Sequence, residues 1–218
     1  MLKTSPNKTL STAQRIAKML LEIKAVTLSP EKSFTYASGI LAPIYTDNRL
    51  LMGYPLKRKE VTVYMANLIN DLGLKPEIIA GTSTAGIPPA AWLAELLNLP
   101  MIYVRGEKKD HGKGHRIEGI MEKDSKVLLI EDLISTGQSS LAAIDAIRKE
   151  GGKVDTCIAF FDYGFPGTAS KFTEKKISLY TLTSLFELVN MAVELKIIND
   201  AQKEIVLTWQ KDPWQWGK

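Results

Sequence analysis

In the run Val127-Leu128-Leu129-Ile130-Glu131-Asp132-Leu133-Ile134-Ser135-Thr136-Gly137-Gln138-Ser139-Ser140, two carboxylates stand beside a cluster of hydroxyls and one glycine. The apolar residues Val127 to Ile130 predict a fully buried parallel strand, with Glu131 and Asp132 at its C-terminal end. Leu141, Ile144, Asp145 and Ile147 then fall at helical spacing. A Ser/Thr/Gly turn that opens a helix presents backbone N–H groups and the positive end of a helix dipole, which suits a phosphate. Adjacent carboxylates suit ribose hydroxyls or a hydrated Mg2+. In open α/β sheets ligands bind outside the carboxyl ends of the strands. One short segment therefore offers a site for a sugar phosphate with a metal.

The second chemical stretch is Arg105-Gly106-Glu107-Lys108-Lys109-Asp110-His111-Gly112-Lys113-Gly114-His115-Arg116. It holds both histidines of the chain, a dense set of cations and three glycines. A charge run is often only a solvated loop. This one leaves a predicted strand, Met101 to Val104, at the end where ligands bind. Its residue types neutralise a leaving group with several negative charges, and such loops close over a substrate and exclude water.

The elements that position these stretches follow from periodicity. Ser11-Thr12-Ala13-Gln14 has the pattern of a capping box, and Ile16, Met19, Leu20, Ile23 and Val26 form the apolar face of a first helix. Residues 34 to 53 read as extended segments with turns. Pro55 to Leu72 predicts a helix with Val61, Met65, Leu68 and Ile69 inward. From Pro76 strands and helices alternate: strands at Ile78 to Gly81, Met101 to Val104, Val127 to Ile130, Val154 to Phe161 and Ile177 to Leu182. Helices are expected at Pro88 to Leu97, after the motif strand, at Ser170 to Lys175, and terminally at Leu185 to Leu195 and Asp200 to Trp209. A polar loop is expected from Val104 to Ile120. This alternation predicts an α/β fold with a parallel sheet covered on both faces. The expected division is 1–54 as an N-terminal helix and hood, 55–184 as the α/β core and 185–218 as C-terminal helices.

Composition sets outer bounds. A chain of 218 residues with net charge +4 suits an anionic substrate and does not demand nucleic acid. The single cysteine, Cys157, lies in an apolar run and reads as a buried strand residue, so no disulfide forms within the chain. The first ten residues lack an apolar signal region, and no stretch approaches the length of a membrane span. A reduced, cytoplasmic setting is expected, with no membrane partner.

The motif run resembles the 5-phosphoribosyl-1-pyrophosphate (PRPP) motif of the type I phosphoribosyltransferases: apolar strand, acidic pair, two residues, then a Ser/Thr-rich phosphate loop. The resemblance implies that fold, with a central parallel sheet flanked by helices and a small N-terminal hood. It implies PRPP binding by Glu131, Asp132, Leu133, Ile134, Ser135, Thr136, Gly137, Gln138 and Ser139, with the ribose hydroxyls on the acidic pair and the 5-phosphate wrapped by Ser135 to Ser139. The charged loop is similar to the catalytic loop of orotate phosphoribosyltransferases, Arg-x-x-x-Lys-Asp-His-Gly, matched by Arg105, Lys109, Asp110, His111 and Gly112. Arg105, Lys109 and His111 would then act in catalysis and contact PRPP across a homodimer, since in that family the loop of one subunit completes its neighbour's site. Gly106 stands where many members carry a lysine, and Lys108 is the available substitute.

Phe34 to Gly39 and Ala42 to Arg49 are similar to the family's N-terminal signature near the base pocket. The resemblance places Tyr45, Arg49 and Ser135 at orotate; Arg49 either steers the orotate carboxylate or serves as a structural salt-bridge partner. Asp162-Tyr163-Gly164 stands where the family often has an arginine, so base recognition differs in detail. Gly81 to Pro88 resembles the pyrophosphate loop, with Ala85 where some members use a lysine. Trp209, Trp214 and Trp216 are expected to pack rather than stack on a base. The implied reaction converts PRPP and orotate to orotidine 5'-monophosphate and pyrophosphate, with Mg2+ carried by PRPP near Asp132 and no direct protein ligand. The length leaves no room for a fused decarboxylase. The alternatives are a purine phosphoribosyltransferase, which would lack the Lys-Asp-His-Gly loop, and a PRPP-sensing transcriptional regulator, which would need an added DNA-binding domain or a broad basic face.

Overall fold

A computed structural model describes residues 10–36, 39–106 and 116–216. Its frame is a six-stranded sheet. The strands are β5 (Ile78–Thr82), β6 (Met101–Val104), β7 (Ile117–Glu118), β8 (Lys126–Ile134), β9 (Lys153–Asp162) and β10 (Ser178–Ser184). Their spatial order is β10-β9-β8-β5-β6-β7. All neighbours are parallel except β6 and β7. Four shorter strands precede the sheet. β1 (Val26–Leu28) pairs with β4 (Ile44–Thr46), and β2 (Phe34–Thr35) pairs with β3 (Leu41–Ala42), both antiparallel. A 3-10 helix over Asn48–Gly53 leads into the core.

Side-chain alternation along the strands separates two cores, one on each face of the sheet. Ile79, Leu128, Ile130, Ile158 and Phe160 share one cluster with five helices. These are α1 (Thr12–Glu22), α2 (Pro55–Asp71), α3 (Ile87–Leu97), α6 (Leu185–Glu194) and α7 (Asp200–Lys211). Ile78, Ala80, Leu129, Cys157 and Ala159 share the other with α4 (Gln138–Lys149) and α5 (Thr168–Glu174). The crossover from β5 to β6 and that from β8 to β9 leave in opposite directions along the sheet. The crevice between β5 and β8 is therefore the topological switch point, where ligands bind in such sheets.

Most local expectations hold. Ser11 Oγ accepts the Gln14 N–H at 3.2 Å and Gln14 Oε1 accepts the Ser11 N–H at 3.1 Å, the two halves of a capping box. Val61, Met65 and Ile69 are buried and Leu68 packs against the same cluster. Cys157 is buried, and Trp209 is fully enclosed between Tyr163 and Phe165. Four expectations change. Val26 is not on the first helix: that helix ends at Glu22, Lys24 takes a left-handed φ of 56°, and Val26 opens β1. The extended reading of 34 to 53 fails over Asn48–Gly53, which is helical. The charged loop is bounded by an unforeseen strand, β7, so its ends are stapled into a hairpin, with Arg105 N–H donating to Arg116 O at 2.8 Å. The motif strand does not stop at Ile130. It runs to Ile134 because β9 continues beside it, pairing Glu131 with Ala159 and Leu133 with Phe161. Among the described residues, no helix is long and apolar enough to cross a membrane.

Candidate active site

A cavity of about 260 Å³ opens at the switch point. Thr82, Ser83, Thr84 and Ala85, from the turn between β5 and α3, form one wall, and the turn between β8 and α4 forms the other. A larger hollow of about 540 Å³ between α5 and β10 holds no such meeting of strand ends.

The second wall is built to receive an anion. Gly137 sits at the N-cap of α4 with φ 73°, and among the described residues no side chain caps that helix. The first-turn N–H groups of a helix lack intrahelical partners and carry its positive dipole end. Ser135, Thr136, Gly137, Gln138 and Ser139 all line the cavity, so the structure brings together the residues of the predicted phosphate loop. Ile134 and Leu133 differ from each other. Ile134 is fully buried and offers the site no side chain, while Leu133 lines the wall.

Glu131 and Asp132 both line the cavity but, as neighbours on a strand, project to opposite faces. Glu131 is 4% exposed. Its Oε2 accepts the Ser140 hydroxyl at 3.0 Å and its Oε1 the Asp132 N–H at 3.2 Å. Burial, then the neighbouring Asp132 charge, pushes the Glu131 carboxyl well above the ordinary range. Burial also raises Asp132. Among the described residues no lysine or arginine forms an ion pair with either carboxylate. Two desolvated acids facing a cavity fit a divalent cation that arrives with a polyphosphate and offsets their charge.

On the facing wall, Thr82 is buried, lines the cavity, and its Oγ1 has no hydrogen-bond partner among the described residues. Ser83 and Thr84 also border a second hollow of about 720 Å³, which contains Arg105, Gly106 and Glu118. Arg105 thus stands across the β5–α3 turn from the first cavity, with its Nη1 3.3 Å from Glu118 Oε1. Lys109 and His111 lie outside the described residues.

The hood supplies the remaining side. Tyr45 is 44% exposed, its ring 5.8 Å from that of Phe34. Arg49 forms a two-point pair with Asp47, Nε to Oδ1 at 2.6 Å and Nη2 to Oδ2 at 3.0 Å. That hydrogen bond lowers the Asp47 carboxyl and raises the Arg49 guanidinium, which also feels the charge of Asp132. The salt-bridge role of Arg49 is therefore present, beside the acidic pair.

Several residues bearing on the site act through contacts that the sequence does not show. Asn48, 3% exposed, donates from Nδ2 to the Asp132 carbonyl at 2.8 Å and ties the hood to β8. Tyr163 donates to Thr46 Oγ1 at 2.9 Å, and its hydroxyl meets that of Tyr36 at 3.3 Å. This hydroxyl chain fills the position after β9 where the resemblance expects an arginine. Each contact joins residues far apart in the chain, so periodicity could not reveal it.

Residues 55–181 match the family model of the phosphoribosyl transferase domain. The chain is 47% identical over 206 residues to an orotate phosphoribosyltransferase of Enterococcus faecalis, covering 94% of this chain and 98% of that one. It is 48% identical over 204 residues to that of Coxiella burnetii, with the same coverage. Its fold superposes on the crystal structure of orotate phosphoribosyltransferase from Aeropyrum pernix with a TM-score of 0.69 at 27% identity, covering 84% of this chain and 99% of that one. The strand-end crevice, its uncapped helix and its acidic pair thus coincide with near end-to-end likeness, and the chain belongs to the orotate phosphoribosyltransferase family.

Proposed function

We infer that this protein transfers the 5-phosphoribosyl group from PRPP to orotate, releasing pyrophosphate and forming orotidine 5'-monophosphate. The observation that carries the reading is the convergence at one switch point of an uncapped helix terminus, a buried and a half-buried carboxylate and a second small-residue turn.

In this reading the 5-phosphate sits on the α4 amides and the hydroxyls of Ser135 to Ser139. The ribose hydroxyls face Glu131 and Asp132, and the pyrophosphate lies along Thr82 to Ala85. The orotate ring nitrogen forms a bond to ribose C1 as the C1–oxygen bond to pyrophosphate breaks; the electron pair leaves with that oxygen, and the proton lost from the ring nitrogen ends on the departing pyrophosphate. The sugar carries positive charge in between, which the two carboxylates stabilise, and charge develops on the departing oxygens, where fixed donors act most strongly. Glu131 and Asp132 would face a Mg2+ carried by PRPP, which would supply further neutralisation of that leaving group. Arg105, Lys109 and His111 complete this role, with Lys109 delivering a proton to the pyrophosphate, and we assign them to the site of a second copy in a homodimer. Orotate is held between Tyr45, Ser135 and Arg49. The reaction is assigned to the cytoplasm, where a lone thiol such as Cys157 stays reduced.

The direct test follows orotate absorbance with PRPP and Mg2+ present. Loss of orotate that requires both, from a species sedimenting as a dimer, is the expected result; no loss while PRPP still binds would point to another base or to a PRPP sensor. Arg49→Ala separates the two roles of that residue. A carboxylate contact predicts a KM for orotate raised roughly tenfold with the KM for PRPP within about twofold, as befits one charged hydrogen-bonded contact. An unchanged KM for orotate would leave Arg49 as a brace for Asp47 alone.

A further inference from the structure

The phosphate loop is held from behind by a segment that does not line the cavity. Past β9 the chain runs through Tyr163 and Phe165 into α5. The carbonyl just before the loop and the first carbonyl of the loop are both taken by this segment. Ile134 O accepts the Tyr163 N–H at 3.0 Å, and Ser135 O accepts the Thr168 hydroxyl at 3.1 Å. One turn further along α5, the ring of Phe172 closes on Gly137 so tightly that a Cβ there would lie 2.5 Å from Phe172 Cε2. Thr168 and Phe172 are 2% and 1% exposed. The segment is braced in turn by α7, where Gln210 Nε2 donates to Tyr163 O and the Trp209 ring stands edge-on to Phe165 at 5.1 Å.

The arrangement has an electrostatic consequence. A carbonyl oxygen rotated toward an anion repels it, whereas N–H groups attract it. A donor on Ser135 O and a ring against Gly137 hold the peptide planes of the turn in one orientation, so the loop meets the phosphate without reorganising. We propose that Thr168 and Phe172 are positioning residues of the phosphate loop, which set affinity for the 5-phosphate of the sugar without touching it. The proposal rests on the reading of that loop as the phosphate site.

The test compares Thr168→Val, which keeps shape and removes the hydroxyl, with Thr168→Ser, which keeps the hydroxyl, both in the full chain. Ribose 5-phosphate probes the phosphate loop, and pyrophosphate with Mg2+ probes the opposite wall. By calorimetry, Thr168→Val weakens ribose 5-phosphate roughly tenfold, the scale of one lost neutral hydrogen bond with its acceptor left buried. Pyrophosphate binding stays within about twofold, and Thr168→Ser restores ribose 5-phosphate to within about twofold, because the distant wall keeps all its contacts. In turnover the KM for PRPP rises by the same factor and kcat is nearly unchanged, the signature of binding lost equally in ground and transition states.

Unaltered ribose 5-phosphate affinity, equal weakening of both probes, or failure of serine to restore binding each overturns the proposal. Should Thr168→Val fail to fold, Phe172→Leu is held to the same split between the two probes. A wild-type protein that binds ribose 5-phosphate but consumes no orotate overturns the proposed reaction and leaves this test in force. One that binds neither overturns both.

Discussion

Gly137→Ala is expected to lower kcat/KM for PRPP by about a hundredfold or more, in line with the effect of misplacing a binding element by about 1 Å. Two independent costs meet at this residue. Its φ of 73° lies in the left-handed region, which costs an L-residue about 1–2 kcal/mol. The new Cβ would also lie 2.5 Å from the ring of Phe172, which is 1% exposed and has no room to swing aside. The turn must therefore move, and with it the amides that open α4. Gly53→Ala is the control, since nothing stands within 4 Å of a Cβ there and its φ is not positive; its thermal midpoint and turnover should stay near wild type. Initial-rate kinetics over PRPP concentration, with thermal melts of both variants, decide the matter. A Gly137→Ala protein whose KM for PRPP and midpoint both match wild type would show that this turn does not hold the phosphate.

What the sequence conveyed depends on the range of the forces involved. The Ser11–Gln14 capping box, the inward stripe of α2 and the strand-turn-helix around Gly137 are set by neighbours within a turn or two, and all were readable. The apolar pattern ends the motif strand at Ile130 because charged residues are costly in a buried strand. Its extension through Glu131 to Ile134 is imposed by β9 alongside, which no pattern within the motif encodes. The 3-10 segment and β7 escape the local pattern for a similar reason. Asn48 is held by Asp132, 84 positions away, and Ile117 by Val104 across the charged loop. The acidic pair and phosphate loop stand out in the sequence as a set, whereas the contacts that fix them do not. Ser140, Asn48, Thr168 and Phe172 are ordinary residue types whose importance comes only from what they touch.

Glu131→Gln should stabilise the free protein while impairing it as a catalyst. The Glu131 carboxyl is raised chiefly by burial and secondly by Asp132, so the folded chain holds its proton more tightly than the unfolded chain does. With the folded pKa above the unfolded one, stability is highest at low pH and falls as pH rises from the ordinary carboxylate range through the folded value. The loss is at most about 1.4 kcal/mol per pH unit across that window. Glutamine carries no charge to desolvate. Its oxygen can accept the Asp132 N–H, and its amide can donate to Ser140 once that hydroxyl turns. Thermal melts of the ligand-free variant at neutral pH should therefore show a midpoint higher by about 2–4 °C for each kcal/mol of relieved penalty, with a flatter dependence on pH. The same charge is what the reaction uses, because a carboxylate under the sugar stabilises positive charge at ribose C1, and removing it should cost about a hundredfold in kcat. A stability gained by deleting a group that activity requires marks that group as functional rather than structural. A variant that melts no higher than wild type and still turns over normally would reduce Glu131 to a packing residue and shift the electrostatic role to Asp132 alone.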